Sequence, residues 1–344
     1  MNLLCVALFV GMQVVVLAGG FGSRLRPWTY NLPKPILPLL DRTLVEQVVS
    51  GIPSDIIDEV IIAAGYKVEQ LRSYFASKDL GFDVKIVPED KPLGTGGALN
   101  NCRDYLSGTF ACFNGDVVSS LDFSSMLTQH KEMKTMGTLA LWEVEDPTRF
   151  GIVGIDENRY VTRFKEKPAP EEVFSDLINA GSYILEDEVF ELMPDGKSSL
   201  ERELFPVLAE RGALGGMPFE GYFIDAGTPV SWKEAVKAAI VHGRHDSGVV
   251  KSSSWFANSK TFSCILRGNN MFSEGTHVES NSTIEDCTLL ANSSVASGSS
   301  LHNCLVGMDS QIGSDCMLKG VIIDHNVVVP DGTTQTGGTF PQVE

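Results

Sequence analysis

The chain has 344 residues, 43% hydrophobic and 21% charged, with 27 Lys and Arg against 44 Asp and Glu and a formal net charge of −17. That length suits two domains of roughly 150 residues each. The acid excess excludes a general nucleic-acid scaffold, which needs the opposite balance, but not a binder of small phosphorylated molecules whose few cations converge on one pocket.

The first eleven residues, MNLLCVALFVG, are apolar but lack a basic n-region, and Gln13 interrupts the run before VVVLA. A membrane span needs about 20 apolar residues, and this run stops at Gly19. The expectation is that Met12 is the natural start or that residues 1–11 are a dispensable extension, and that the protein is cytoplasmic with no membrane partner. Seven scattered cysteines (Cys5, Cys102, Cys112, Cys264, Cys287, Cys304, Cys316) form no C-x-x-C pair. They predict small buried residues in a reducing compartment, not a disulfide framework or a zinc site.

From Gln13 onward, apolar runs at 13–18, 59–64, 82–88 and 109–113 read as strands, and 43–50, 68–77, 97–105 and 123–131 as the helices between them. Alternation of this kind predicts βαβ units in a mostly parallel sheet. Runs such as VVVLA and VIIAA fit strands covered on both faces. Shorter extended pieces at 138–144, 151–155, 161–164 and 182–185 predict an antiparallel insertion, and a helix over 229–242 closes the domain. In Ser199-Leu-Glu-Arg-Glu-Leu, Glu201 and Glu203 read as the structural start of a helix capped by Ser199.

Beyond about Lys251, Ser, Asn and Gly become frequent and single apolar residues recur about every six positions: Val278, Ile284, Leu290, then the pairs Val295/Leu301, Ile312/Leu318 and Ile323/Val329, with phase slips between them. Hexapeptide spacing with small polar corners predicts a β-helix of about four coils of roughly 18 residues. The expected fold class is thus α/β. A Rossmann-like, mostly parallel sheet domain over 12–245 precedes a short left-handed β-helix of hexapeptide repeats over 251–335, whose exposed last coil predicts a homo-oligomer.

The first strand runs into Leu17-Ala-Gly-Gly-Phe-Gly-Ser-Arg-Leu-Arg-Pro-Trp-Thr29. Gly19, Gly20 and Gly22 let phosphates approach main-chain N–H groups, with Arg24, Arg26 and Lys34 as nearby cations. The spacing is neither a P-loop nor the dinucleotide fingerprint.

Here the chain resembles the sugar nucleotidyltransferases, the sugar-1-phosphate nucleotide pyrophosphorylases. The agreement continues in order through Glu89-Asp-Lys-Pro-Leu-Gly-Thr-Gly-Gly-Ala98, Asn114-Gly-Asp116, Phe150-Gly-Ile-Val153, Glu166-Lys-Pro168, Asn179-Ala-Gly181 and Asp225-Ala-Gly-Thr228. It covers about residues 12–240, and the solenoid tail recurs in the family. The resemblance implies an enzyme that joins a sugar-1-phosphate and an NTP into an NDP-sugar with release of pyrophosphate. Arg24 and Lys34 are implied as the catalytic cations, on the β,γ- and α-phosphates respectively. Leu17, Ala18, Gly19, Gly20, Gly22, Glu89 and Gly94 are implied at the nucleotide. Gly151, Glu166, Lys167 and Asn179 are implied at the sugar phosphate, and Asp116 and Asp225 as the carboxylate pair for Mg²⁺.

Glu89 stands where pyrimidine-selective relatives have glutamine. A carboxylate accepts from both guanine donors, N1–H and the N2 amino group, whereas an amide suits uracil or thymine. With Pro92–Ala98 this is most similar to the mannose-1-phosphate guanylyltransferase branch, implying GTP and mannose-1-phosphate. Gly96 departs from that branch's alanine. The alternative is a glucose-1-phosphate thymidylyl- or uridylyltransferase. Two other functions compete: acetyl transfer by the solenoid, with His277, His302 or His325, and a non-catalytic regulatory subunit, which is disfavoured because Arg24, Lys34, Asp116 and Asp225 are all present.

Overall fold

The computed structural model describes residues 11–342; the expectation for residues 1–11 falls, Gly11 apart, outside them. The chain divides into two compact units that do not follow chain order. One takes residues up to Gly20 together with Val48–Phe223, the other Phe21–Gln47 together with Ile224 onward.

The first unit is built on a nine-stranded sheet. Its strands are β1 (Met12–Leu17), β2 (Ile57–Ala64), β3 (Asp83–Pro88), β4 (Thr109–Asn114), β5 (Gly137–Glu143), β6 (Gly151–Ile155), β7 (Val161–Glu166), β8 (Leu177–Glu186) and β9 (Leu214–Pro218). The order β7-β6-β8-β4-β1-β2-β3 places the parallel strands β4, β1, β2 and β3 side by side. Val14, Val15 and Val16 are fully buried, as the unbroken apolar run predicts. Helices α1 (Val68–Ala76), α2 (Gly94–Asn100), α3 (Phe123–Met133) and α4 (Phe205–Glu210) accompany the sheet. At the start of α3, Asp122 accepts from Ser125 N–H at 3.0 Å.

The predicted antiparallel insertion is present and longer than its apolar runs suggested. Strand β8 pairs antiparallel with β4 through Ser182–Glu186, and with β6 at Ile178. Its antiparallel pairing with β5 continues throughout but shifts register between Asn179 and Tyr183, with Gly181 at φ 67°, in the stretch that separates its pairing with β6 from its pairing with β4. The helix expected from Ser199 differs in detail. Residues Leu200–Leu204 form one π-helical stretch with no side-chain cap from Ser199. Instead Glu203 Oε2 accepts from Ser199 N–H, and the Ser199 hydroxyl donates to Glu201 Oε2, each at 2.6 Å. The longer acidic side chain reaches the orphan N–H and the serine is diverted to a second acid.

The second unit holds Phe21–Gln47, α5 (Pro229–Val241) and the solenoid. Helix α5 opens with Pro229 at its first turn and Thr228 and Ser231 capping each other's backbone N–H. The solenoid is a left-handed β-helix with three sheet faces, of seven, five and five strands. From the second coil on, partner residues lie 17 apart, as in Thr288↔Leu305, Ser294↔Gln311 and Ser300↔Met317, whereas those joining the first coil to the second lie 16, 17 or 18 apart by face. The coil is therefore 17 residues, not about 18, and five coils form instead of about four. Inward residues Val278, Ile284, Leu289, Val295, Leu301, Val306, Ile312, Leu318, Ile323 and Val329 are all buried in one stack. Their steps of six, five, six, six, five explain the phase slips, because one face per coil is a residue shorter. Leu289 takes the stack position and Leu290 follows it, also buried. Asn281, Asn292, Asn303 and Asn326 hold left-handed backbone at the corners, which accounts for the asparagine-rich texture.

Candidate active site

In the first unit, β1 delivers Leu17 and Ala18 to the sheet's C-terminal edge: Ala18 N–H donates to Ala63 O at 2.8 Å, and Gly115 N–H to Leu17 O at 2.9 Å. Gly20 is exposed, with open space where a side chain would stand. At Gly19 a Cβ would lie 2.4 Å from Glu89 Oε1, so the Glu89 carboxylate lies directly against the glycine backbone. Glu89 follows β3, and its own N–H donates to Ala64 O. It is only 8% exposed, and burial raises its carboxyl above the usual range, partly offset by Leu93 N–H donating to Oε2 at 3.1 Å. Glu89 Oε1 is buried with no hydrogen-bond partner among the described residues. Buried side-chain acceptors left open are uncommon in folded proteins.

Gly94 starts α2 at φ 74°, where a Cβ would meet Ser198 O at 2.4 Å. At Gly96 it would meet Ser198 Oγ at 2.7 Å, and at Gly97 the Gly196 carbonyl at 2.3 Å. The departure at Gly96 thus has a local cause: the 196–199 segment lies too close for alanine without adjustment.

On the insertion, Glu166 sits opposite Gly151 in the β7–β6 register, with its Oε2 2.9 Å from where a Gly151 Cβ would be. Lys167, at φ 45°, projects an exposed ammonium 3.5 Å from Glu166 Oε1. Burial raises the Glu166 carboxyl, the Glu201 carboxylate raises it further, and Lys167 opposes both. Asn179 Nδ2 donates to Tyr183 Oη at 3.0 Å while its Oδ1 accepts from Gly181 N–H at 3.0 Å. Tyr183 is fully buried and its phenol is held well above its usual range, by burial first and then by Glu201.

The expected sugar-phosphate residues Gly151, Glu166 and Lys167 are therefore neighbours, and Asn179 joins them through Tyr183 and the field of Glu201. Neither of those two intermediaries was expected here. Glu201 Oε2 accepts from the Thr95 and Ser199 hydroxyls, each at 2.6 Å. In a regular strand a four-residue step separates two side chains by roughly 13 Å, so the contact between Asn179 and Tyr183 carries no signal until the register break brings them together. Asp116, half-buried, stands two residues past β4, beyond Asn114, whose side chain lies against Gly181.

In the second unit, Gly22 takes left-handed backbone at φ 62° and opens the turn Ser23–Leu25. Thr29 Oγ1 donates to Gly22 O at 2.8 Å, and a Cβ on Gly22 would lie 3.1 Å from Lys34 Cβ. Arg24 and Asp225 meet at Gly227, where a Cβ would lie 2.5 Å from Arg24 Nη2 and 2.7 Å from Asp225 Oδ1. Arg26 is turned to the Tyr30 ring, 4.7 Å from its centroid. Among the described residues no group of three or more His, Cys, Asp or Glu side chains is arranged to hold a metal ion. No helix among them is long and apolar enough to cross a membrane.

The family model described as "Nucleotidyl transferase" matches residues 13–240, and one described as "GlmU-like, C-terminal hexapeptide" matches 254–337. The chain is 32% identical over 326 residues to a mannose-1-phosphate guanylyltransferase of Mycobacterium tuberculosis, covering 93% of this chain and 82% of that protein. It is 28% identical to the mannose-1-phosphate guanylyltransferase catalytic subunit beta of Danio rerio, covering 93% of each. Among solved structures it is similar to HddC from Yersinia pseudotuberculosis complexed with GMP-PN (28% identity, TM-score 0.55, 65% of this chain and 98% of that one). It is also similar to a putative glucose-1-phosphate thymidylyltransferase from Bacillus anthracis in complex with a sucrose (27%, TM-score 0.58, 70% and 98%). A glycine-rich edge with a buried open carboxylate, a separate carboxylate–lysine cluster and a match spanning most of the chain lead to one assignment: this protein belongs to the nucleotidyl transferase family and is a nucleotidyltransferase with a hexapeptide β-helix.

Proposed function

We propose that the chain converts GTP and mannose-1-phosphate to GDP-mannose and pyrophosphate. The carrying observation is Glu89, a buried carboxylate with one oxygen held by Leu93 N–H and the other open beside Gly19. Two donors in a row, as guanine presents, match a carboxylate better than the mixed edge of uracil or thymine. The mannose-1-phosphate guanylyltransferase names of the full-length relatives support the sugar.

In this reading a sugar-phosphate oxygen attacks the α-phosphorus in line and pyrophosphate leaves. The nucleophile is already anionic, so the task is to hold two polyanions together, by position and by neutralising charge. Arg24 takes the β- and γ-phosphates and Lys34 the α-phosphate, while the N–H groups of Gly19, Gly20 and Gly22 cradle the chain of phosphates. Leu17, Ala18 and Gly94 border the nucleotide. Lys167 holds the sugar's phosphate, and Glu166, Asn179 and Gly151 N–H orient its hydroxyls.

Mg²⁺ is assigned to Asp116 and Asp225. Carboxylate oxygens suit a hard cation that completes its shell with phosphate oxygens and water. When bound, such an ion neutralises phosphate charge. The six described cysteines are free thiols, in keeping with a cytoplasmic setting. The last coil, Thr334–Thr336 and Thr339–Phe340, is paired on one side only among the described strands, which supports self-association through the β-helix.

The test is a pyrophosphate-release matrix of GTP, UTP, dTTP, ATP and CTP against mannose-, glucose- and N-acetylglucosamine-1-phosphate with Mg²⁺. The highest kcat/KM for GTP with mannose-1-phosphate is expected. A maximum with dTTP or UTP and glucose-1-phosphate replaces this function with the thymidylyl or uridylyl alternative.

A further inference from the structure

Segment Phe21–Gln47 carries Arg24 and Lys34, and within its unit one of its ties to the solenoid is an aromatic side chain. Trp28 is fully buried, and its Nε1–H donates to Ile323 O at 2.8 Å, across 295 residues of sequence. The His325 ring stacks on it at 5.9 Å and 26°, and Trp232 of α5 meets it edge-on at 6.4 Å. His325 is fixed in turn, because Met308 N–H donates to its Nδ1 at 2.9 Å. Ile323 belongs to the buried inward stack of the β-helix, and the carbonyl that receives Trp28 also accepts from Gly307 N–H of the adjoining coil at 3.0 Å. A second tie lies further along, where Leu40 N–H meets Met271 Sδ at 3.5 Å. At the next residue in the chain, Thr29 Oγ1 donates to Gly22 O at 2.8 Å. A shift of Trp28 therefore passes through Thr29 to the turn that carries Arg24.

We propose that Trp28, clamped by Ile323 and His325 of the β-helix, is a positioning residue for the catalytic loop: the solenoid holds Arg24 and Lys34 in register for the reaction in addition to any part it plays in assembly. The inference rests on the assignment of Arg24 and Lys34 to the reacting phosphates. Trp28 itself is fully buried, so its part is to place other groups. An indole that must donate to a fixed carbonyl while stacking on a fixed ring has little freedom, which suits a gauge for charged groups whose misplacement by an ångström costs catalysis heavily.

Two variants separate this role from general packing. Trp28→Phe keeps a ring but deletes the donor to Ile323. His325→Asn keeps an acceptor for Met308 N–H but deletes the stacked ring. Each should lower kcat about tenfold with KM for both substrates within about twofold, as expected when a transition-state contact is misplaced. Hydrogen exchange should rise in peptides covering 21–37, while strands over 283–329 keep their protection and the unfolding transition starts above the assay temperature. Arg24→Ala is measured alongside. If Arg24→Ala is severely impaired but both anchor variants keep wild-type kcat or wild-type exchange over 21–37, the positioning role is overturned alone. If Arg24→Ala retains full activity, the phosphate assignment fails and the positioning role with it.

Discussion

Arg24 and Asp225, 201 positions apart in number, converge on the absent side chain of Gly227, with Nη2 and Oδ1 lying 2.5 and 2.7 Å from where its Cβ would be. Both atoms are the far ends of side chains, so a methyl group there is accommodated by moving them and the fold is spared. Gly227→Ala should lower kcat by about 10- to 100-fold, the scale expected for displaced charge-stabilising groups. Steady-state kinetics beside thermal unfolding checks it: an equal loss of folded protein would assign the effect to packing instead.

Glu89 offers a second test, on base choice. Glu89→Gln exchanges an acceptor pair for an acceptor and a donor, so one guanine donor faces a donor. The ratio of kcat/KM for GTP over UTP should fall by about 10- to 100-fold, in line with a charge-assisted hydrogen bond worth roughly 1.5–3 kcal/mol. Competition assays with GTP, UTP and dTTP measure it directly, and an unchanged ratio removes Glu89 from base selection.

Glu166 gives a pH signature. Burial first, then Glu201, raises its carboxyl above the usual value against the opposing pull of Lys167. The folded state thus favours the protonated acid. Its contribution is complete below the unfolded pKa and is lost as pH rises through the higher folded value. Glu166→Gln, neutral throughout, should gain thermal stability relative to wild type as pH rises from the ordinary carboxyl range through the raised folded value. Paired melting curves across that interval decide the matter, and a pH-independent difference counts against a raised carboxyl. The same variant should raise KM for the sugar phosphate more than KM for the nucleotide.

Leu301 tests the solenoid's own stability. It is fully buried between Ile284 and Leu318 of the adjoining coils. Leu301→Ala opens a cavity in a stack that cannot collapse without shortening a coil, at a cost of about 2–5 kcal/mol. Chemical denaturation should show that loss in the second unit's transition. A cost well below 2 kcal/mol would mean that the coil closes around the gap.

The sequence alone determined the parallel core, the solenoid and the glycine-rich edge, because each rests on short-range rules. Strands covered on both faces read as unbroken apolar runs, coils as near-hexapeptide spacing, and a phosphate edge as Gly19, Gly20 and Gly22 beside cations. The 17-residue coil was visible only as phase slips until pairing fixed which face was a residue short. Tertiary structure alone decided that residues 21–47 belong with the C-terminal unit, that Trp28 is anchored at Ile323, that Glu201 and Tyr183 join Glu166 and Asn179, and that Ser199 is held by Glu203 instead of capping. These contacts depend on where the chain returns after tens or hundreds of residues, on a register break that brings Asn179 and Tyr183 close together, and on burial that shifts a carboxyl's proton affinity. None of these leaves a periodic trace, since periodicity records which face of an element is covered and not what covers it.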